Sequence, residues 1–302
     1  MAITYIIYIY VYKLTFIKKM IKVNQNNIAQ KVLKFYETLP FNFYENNKIA
    51  IDNIKKNNVV DYYKPLKKIL NTTDIKSIID VGCGCGWFLN SLAYQFGSKF
   101  SYHGIDFNKI AINHGQQISK KMNLKVTYEN KDLFKLDESK KYDLVTSIGV
   151  LHHTGNTIKA LLKILNLCKH KKYVFVGLYH KFGRKPFLDF VRNMEGMSEN
   201  KKFLEYKKLH KTKDEKHLYS WFRDQVLHPY ETQHTYKEIS LILKKNNFEV
   251  ISTSINNFGK ITNENKIIKL EKKLYETGLK RLKKKKYYPG FFLILAKNIN
   301  LC

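Results

Sequence analysis

Residues 78–88 read IIDVGCGCGWF. An apolar run containing Asp80 comes first, and glycine then occupies every second position, at Gly82, Gly84 and Gly86. The apolar run is typical of a buried strand, and glycines directly after it let a ligand approach the backbone. Three kinds of site use such a loop: a metal centre on neighbouring cysteines, a dinucleotide-binding loop, or a loop shaped around another nucleotide-like cofactor.

The cysteines do not support a metal centre. The chain has four, Cys83, Cys85, Cys168 and Cys302, with no Cys-x-x-Cys spacing and no partner cluster of histidines. They also form no framework of paired spacings, which predicts reduced thiols and a cytoplasmic protein. We therefore expect no bound metal, and we expect Cys83 and Cys85 to be small apolar fillers of the loop.

The loop also departs from the two common phosphate-binding patterns. Trp87 stands where a dinucleotide-binding G-x-G-x-x-G loop has its third glycine, and no G-K-[ST] follows as it does in a P-loop. Asp80, just before the first glycine, is unfavourable next to a pyrophosphate because both are negative. It suits a ligand with a cationic amino-acid end.

Strand and helix patterns alternate from residue 76 onwards. Short β-branched and aromatic segments are predicted strands, and the segments between them are predicted helices. This alternation predicts an α/β fold with a doubly wound, mostly parallel sheet. The predicted strands are 76–82, 100–107, 125–130, 142–149, 172–180, 248–255 and 290–297, and the predicted helices are 87–96, 109–121, 156–168 and 236–245.

The pattern also predicts how the chain is organised. Residues 1–25 are a predicted extension outside the fold, because their apolar run is interrupted by Lys13 and lacks the features of a signal peptide or a spanning helix. Residues 26–75 are a predicted helical cap, and residues 76–302 are the predicted main domain. Residues 181–234 are polar, aromatic and long for a connection, which predicts an inserted lid. No integral membrane association is expected.

The net charge of +29 is strongly basic, yet only four of the 54 basic residues are arginine. Nucleic-acid recognition favours the arginine fork, so we expect the lysines to solvate the surface and expect no specific nucleic-acid partner. The most basic stretch, residues 266–286, has Ile267, Leu270 and Leu274 at roughly helical spacing. This stretch is predicted to pack on the core, with a peripheral membrane contact or contact with an RNA backbone as the alternatives.

Four motifs in this alternating pattern resemble those of class I S-adenosylmethionine-dependent methyltransferases. They are DVGCGCG at 80–86, GIDF at 104–107, KDLF at 131–134 and YDLVTSIGVLHHT at 142–154. The resemblance covers about residues 76–180. It implies a seven-stranded Rossmann-like sheet with an antiparallel last strand, and S-adenosyl-L-methionine as the cofactor.

The resemblance also implies roles for individual residues. In such enzymes the acidic residue that ends the second strand, here Asp106, holds the ribose hydroxyls, and Phe107 lies beside the adenine. Asp132 and Leu133 stand where the family contacts the adenine ring. The predicted cofactor site consists of Asp80, Gly82, Cys83, Gly84, Gly86, Asp106, Phe107, Asp132, Leu133 and Ser147.

The segment after the fourth strand indicates the acceptor. GVLHHT places His152 and His153 beside the expected methyl position, as candidate general bases. The segment has no N/D-P-P-Y/F motif of the kind used on base amines, and no cysteine lies in a Pro-Cys motif. LHH instead resembles quinone and small-molecule O- and C-methyltransferases. The predicted acceptor pocket contains Tyr36, Phe41, Tyr179, Trp221, Arg223, His228 and Tyr230.

Together these patterns predict a methyltransferase that acts on an oxygen or carbon of a small or lipid-like acceptor. Two alternatives stay open at this point. One is an RNA-directed methyltransferase that uses the positive charge, and the other is a module that binds S-adenosylmethionine without turnover.

Overall fold

The computed structural model of the protein describes residues 27–72, 74–212 and 214–299. The predicted extension at residues 1–25 lies outside these described residues. Residues 27–72 form helices that precede the first strand of the sheet, and the strands follow between Ser77 and Asn298.

The sheet has seven strands in the described part of the chain. They are β1 (Ser77–Val81), β2 (Ser101–Asp106), β3 (Val126–Asn130), β4 (Tyr142–Ile148), β5 (Cys168–Tyr179), β6 (Phe248–Thr253) and β7 (Phe291–Asn298). Their order is β3-β2-β1-β4-β5-β7-β6. Strands β1 to β5 pair in parallel, whereas β7 is antiparallel to both β5 and β6. The predicted doubly wound sheet with an antiparallel last strand is confirmed.

Helices fill the connections. The helices are α1 (27–38), α2 (Asn47–Lys56), α3 (Val59–Tyr62), α4 (Lys64–Thr72), α5 (Trp87–Phe96), α6 (Lys109–Lys121), α7 (Thr157–Leu165), α8 (Lys181–Arg192), α9 (Glu199–Lys207), α10 (Glu215–Phe222), α11 (Tyr236–Lys245), α12 (Glu264–Lys272) and α13 (Leu274–Lys283). The bounds of α5, α6 and α11 are those predicted. Helix α7 ends earlier than predicted because Cys168 already pairs with Tyr142 in the sheet.

Each face of the sheet is covered by a separate apolar layer. On one face, Leu161 of α7 and Leu243 of α11 are fully buried against β4, β5 and β7. On the other face, Leu66 of α4 and Leu89 of α5 are fully buried in a second cluster. Burial of such a side chain stabilises the fold by about 1.5–3 kcal/mol. The two layers leave the carboxyl ends of the parallel strands as the edge where a ligand can bind.

The segment predicted as a lid, residues 181–234, is mostly helical and contains α8, α9, α10 and a short π-helix, Arg223–Leu227. Phe187, Tyr206 and Phe222 are fully buried in an apolar cluster of this segment. The basic stretch at 266–286 falls mainly in α12 and α13. Ile267 is buried there in the core of the sheet, so this stretch packs on the protein itself.

None of the helices in the described residues is both long enough and apolar enough to cross a membrane.

Candidate active site

The glycine loop lies at the end of β1 and is tied to the end of β2. The N–H groups of Gly82 and Cys83 both donate to the Ile105 carbonyl, at 2.7 and 3.0 Å. The N–H of Gly84 donates to Oδ2 of Asp106 at 2.9 Å. These bonds hold the loop open beside Asp106, at the carboxyl edge of the sheet.

The three glycines of the loop serve different purposes, although all have positive φ angles of +78°, +51° and +74°. A Cβ on Gly82 would lie 2.4 Å from the Val150 side chain, and one on Gly86 would lie 2.2 Å from the Tyr128 hydroxyl. A Cβ on Gly84 would meet no atom of the described residues within 4 Å. Gly82 and Gly86 are thus required by packing, whereas Gly84 borders open space.

That open space is part of a cavity of about 920 Å³ above the carboxyl ends of β1 to β4. It is large for a small-molecule site and has room for more than one ligand group. It brings together residues predicted from separate motifs. The predicted residues that line it are Tyr36, Phe41, Asp80, Gly82, Cys83, Gly84, Asp106, Phe107, Asp132, Leu133 and His153.

Two buried carboxyl groups face this cavity. Oδ1 of Asp80 accepts a hydrogen bond from the Thr146 hydroxyl at 2.7 Å, and burial raises the pKa of Asp80 to about 7. Asp106 accepts from the Asn108 N–H through Oδ1, at 2.8 Å, and burial raises its pKa as well. A cationic or hydrogen-bond-donating ligand would stabilise both carboxylates in the charged form.

Two predicted cofactor residues do not line the cavity. Gly86 lies behind it, against Tyr128. Ser147 is fully buried in β4, and its hydroxyl donates to the Val81 carbonyl at 2.8 Å. The structure therefore gives Ser147 a partner inside the sheet, between β1 and β4.

Helix α1 and the segment after it form one wall of the cavity. The side-chain amide of Asn108 donates to the Tyr36 carbonyl at 2.8 Å, which ties α1 to the end of β2. Arg223 donates to the carbonyls of Phe35 and Leu39, at 2.8 and 3.3 Å, and its guanidinium lies 4.3 Å from the centre of the Phe35 ring. Arg223 thus holds this wall in place from the lid.

Arg223, Tyr230 and three more residues predicted to line an acceptor pocket lie outside the cavity lining. Trp221 donates from its indole to Asn42 at 3.2 Å. Tyr179 is buried, with its ring 4.0 Å from that of His152. His228 is packed against Phe35 and Tyr36, with ring centres 5.2 and 5.3 Å apart.

The two neighbouring histidines, His152 and His153, lie in different environments. His153 lines the cavity, and its Nδ1 lies 3.0 Å from the Tyr230 carbonyl. His152 is fully buried outside the cavity lining, and burial holds the pKa of its imidazole well below the usual value. Of the two candidate bases, His153 borders the cavity and His152 does not.

Several residues that line the cavity are absent from the predicted site, and Asp224 and Tyr63 are two of them. Asp224, in the π-helix, accepts from the Tyr36 hydroxyl at 2.5 Å, and its Oδ1 lies 3.9 Å from Nε2 of His153. Tyr63 lines the cavity close to the glycine loop. The sequence offers a weak signal for Asp224, its position beside Arg223 in the aromatic lid segment, and none for Tyr63.

The cysteines of the loop are buried, and burial raises the pKa of both thiols. They are neutral thiols near pH 7, which suits neither metal ligation nor nucleophilic attack. Among residues 27–72, 74–212 and 214–299, no group of three or more histidine, cysteine, aspartate or glutamate side chains is arranged to hold a metal ion.

A sheet of this order, with a glycine loop after β1 and an acidic residue ending β2, defines the class I S-adenosylmethionine-dependent methyltransferases. The chain belongs to the methyltransferase domain family, whose sequence profile matches residues 72–226, just over half of the chain.

Similar proteins include both curated relatives and solved structures. A ubiquinone biosynthesis O-methyltransferase of Rickettsia akari is 29% identical over 157 residues, which are 49% of this chain and 57% of the relative. The chain thus spans little more than half the length of that relative. Two solved structures share the fold. PKMT2 from Rickettsia typhi is 18% identical, with a TM-score of 0.54, and the match covers 76% of this chain and 49% of that one. Magnesium protoporphyrin IX methyltransferase from Synechocystis PCC 6803, with bound S-adenosylhomocysteine, is 16% identical, with a TM-score of 0.50, and the match covers 89% of this chain and 93% of that one.

Proposed function

We propose that the cavity binds S-adenosylmethionine in a defined orientation. Asp80 holds the cationic amino-acid end, because a buried carboxyl with a raised pKa gains most from a positive partner. Asp106 holds the ribose, since the carboxylate has acceptor capacity beyond the backbone N–H groups that already donate to it. Phe107, Asp132 and Leu133 surround the adenine. The cofactor supplies an electrophilic methyl group on a sulfonium.

The Gly84→Val variant tests this binding site. We expect it to lower the affinity for S-adenosylmethionine roughly 5–150-fold, because a branched side chain in the open space costs about 1–3 kcal/mol of overlap with a ligand. Isothermal titration calorimetry measures the affinity. Gly97→Val is the control, because Gly97 has a similar φ of +56° and open space at its Cβ but does not line the cavity. Equal losses of affinity in both variants would contradict the assignment.

We further propose that the acceptor atom is the oxygen of a hydroxyl group. The hydrogen bond between His153 and Tyr230 carries this proposal. A carbonyl oxygen only accepts, so Nδ1 of His153 carries a proton, and in the neutral imidazole Nε2 then carries the lone pair. A positioned base is needed when the acceptor must lose a proton on methylation, as a hydroxyl does. The name of the Rickettsia akari relative, an O-methyltransferase, supports the same choice.

The cavity walls favour a small, largely apolar acceptor. Helix α1 contributes Val32 and Leu33 together with the Tyr36 ring, and Phe41 follows beyond it. The charged residues in the lining are nearly balanced, so the cavity does not select a polyanion: Lys131, Lys135, Lys159, Asp80, Asp106, Asp132 and Asp224. The excess of lysine lies elsewhere on the protein. An apolar phenol fits these walls better than an RNA backbone does.

The test is a transfer assay with S-adenosylmethionine labelled on its methyl group. Acceptors are offered in matched pairs, a series of para-alkyl phenols against the corresponding para-alkyl anilines, with bulk transfer RNA as a third class. We expect label on the phenols. Preferential transfer to the anilines or the RNA would contradict the proposal, and cofactor binding without any transfer would support the non-catalytic module.

The free, buried thiols of Cys83, Cys85 and Cys168 support our further proposal of a cytoplasmic setting.

A further inference from the structure

The backbone of a single lid residue contacts two stacked histidines. The Tyr230 carbonyl accepts from Nδ1 of His153, at 3.0 Å, and the Tyr230 N–H donates to Nδ1 of His228, at 3.1 Å. Nδ1 of His153 therefore carries a proton, whereas Nδ1 of His228 carries a lone pair. The two imidazoles are held in opposite tautomers, so His153 presents a bare Nε2 and His228 presents an Nε2–H.

Both Nε2 atoms are buried, and neither has a hydrogen-bond partner among the described residues. Burial lowers the pKa of His228 to about 2, so it stays neutral and its Nε2 keeps the proton near pH 7. The ring centres of His153 and His228 are 3.8 Å apart, so the two unpartnered Nε2 atoms belong to rings in direct contact. An unpaired donor beside an unpaired acceptor matches the hydrogen-bonding capacity of one hydroxyl group.

We propose that His153 and His228 act together on the same acceptor oxygen. This inference rests on the proposed O-methylation. Nε2 of His153 takes the hydroxyl proton while Nε2–H of His228 donates a hydrogen bond to the oxygen as negative charge develops on it. The oxygen forms its new bond to the methyl carbon, and the electron pair of the broken carbon–sulfur bond stays on sulfur. His228 is then a second catalytic residue, and the Tyr230 peptide is the positioning group for both.

The groups around the pair support these roles. Phe35 and Tyr36 of α1 cover His228, and the Tyr36 hydroxyl is bonded to Asp224. His228 does not line the cavity, so access of the acceptor oxygen to its Nε2 requires the Phe35 and Tyr36 side chains that cover it to move, and Tyr36 then leaves Asp224. Oδ1 of Asp224, 3.9 Å from Nε2 of His153, is then free to pair with the protonated imidazole.

The remaining polar neighbours of the histidine pair do not compete for the proton. His152 and Tyr179 pack against His153 with ring centres 4.3 and 5.7 Å away, and both have pKa values shifted by burial toward the neutral form. Arg184 is occupied by its hydrogen bonds to Glu231. His153 is left as the group that gains a proton.

The tautomers are tested directly by long-range ¹H–¹⁵N correlation spectra of histidine-labelled protein, in which the two ring nitrogens have separate shifts. We expect the Nδ1–H form for His153 and the Nε2–H form for His228 at pH 7. Assignment uses His153→Gln and His228→Gln protein. The same tautomer in both rings, or the reverse assignment, would overturn the inference whatever the enzyme's activity.

The catalytic role is tested with two substitutions of His228. We expect His228→Phe, which removes the donor, to lower kcat about 10²–10³-fold on the para-alkyl phenol that the wild type methylates fastest. His228→Gln keeps an N–H near the Nε2 position and should recover at least tenfold of that loss. His103→Gln is the control, because His103 is bonded to Tyr142 and does not line the cavity.

The outcomes separate this inference from the function on which it rests. Calorimetry should give the same S-adenosylmethionine affinity for all three variants. A wild type that methylates phenols while His228→Phe retains full kcat overturns the role of His228 and leaves the proposed function intact. A wild type that transfers no methyl group to any phenol overturns the proposed function, and the inference falls with it.

Discussion

Replacing His153 by glutamine is expected to lower kcat for a hydroxyl acceptor by about 10²–10⁴-fold, the usual contribution of a general base. Glutamine has a similar size but no basic nitrogen to take the proton. The affinity for S-adenosylmethionine should stay within a few-fold of the wild type, because the predicted cofactor contacts come from the loop after β1 and the end of β2. Steady-state kinetics with the labelled cofactor measure kcat, and calorimetry measures the affinity for S-adenosylmethionine.

The matched comparison is His152→Phe, the neighbouring position. The His152 ring is fully buried, and both of its nitrogens lack partners among the described residues, so a phenyl ring of similar shape removes no hydrogen bond that the structure contains. We expect a kcat within a few-fold of the wild type. If His152→Phe lost as much activity as His153→Gln, the choice between the two histidines would be wrong.

The second large effect is expected on stability, from Arg184→Met. Arg184 is fully buried at the start of the lid and makes two hydrogen bonds to Glu231, at 3.0 and 2.7 Å. It also donates to Oε1 and to the backbone carbonyl of Gln225, at 2.9 and 3.1 Å. Methionine fills the space but leaves the Glu231 carboxylate without its cation, so we expect a loss of about 3–5 kcal/mol in the free energy of unfolding.

Urea denaturation followed by circular dichroism measures this loss. The control is Arg192→Met in the same helix, α8. Arg192 is bonded to Asp189 at 3.0 Å with a side chain 65% exposed, so its ion pair is screened by water and worth no more than about 1 kcal/mol. Similar losses in the free energy of unfolding for Arg184→Met and Arg192→Met would contradict a structural role for the buried ion pair between Arg184 and Glu231.

Much of the fold was predictable because its signals are local. The apolar run before Gly82, the alternation of short strands with helices, and the bounds of α5 and α6 all depend on residues close together in the chain. Asp80, Asp106 and Asp132 were also predictable as one site. Each lies near or just beyond the carboxyl end of a predicted strand, and the carboxyl ends of parallel strands meet at one edge of the sheet.

The acceptor side was less predictable because its contacts join distant parts of the chain. Trp221 and Arg223 have the composition of pocket residues, yet the structure uses them to hold α1 and the segment after it. Asp224 gains its position beside the cavity from Tyr36, which lies 188 positions earlier in the chain. No local pattern records such a contact.

The sequence by itself determined the class of protein, the doubly wound sheet and the strand ends that carry the predicted cofactor residues, since hydrophobic periodicity and glycine placement are local properties. Only the tertiary structure distinguishes the environments of His152 and His153, which are neighbours in the sequence: His153 lines the cavity and His152 does not. The deciding contact is the Tyr230 carbonyl, 77 positions away from His153 in the chain. It holds a proton on Nδ1, because a carbonyl oxygen can only accept a hydrogen bond, and it carries our proposal that Nε2 is the base.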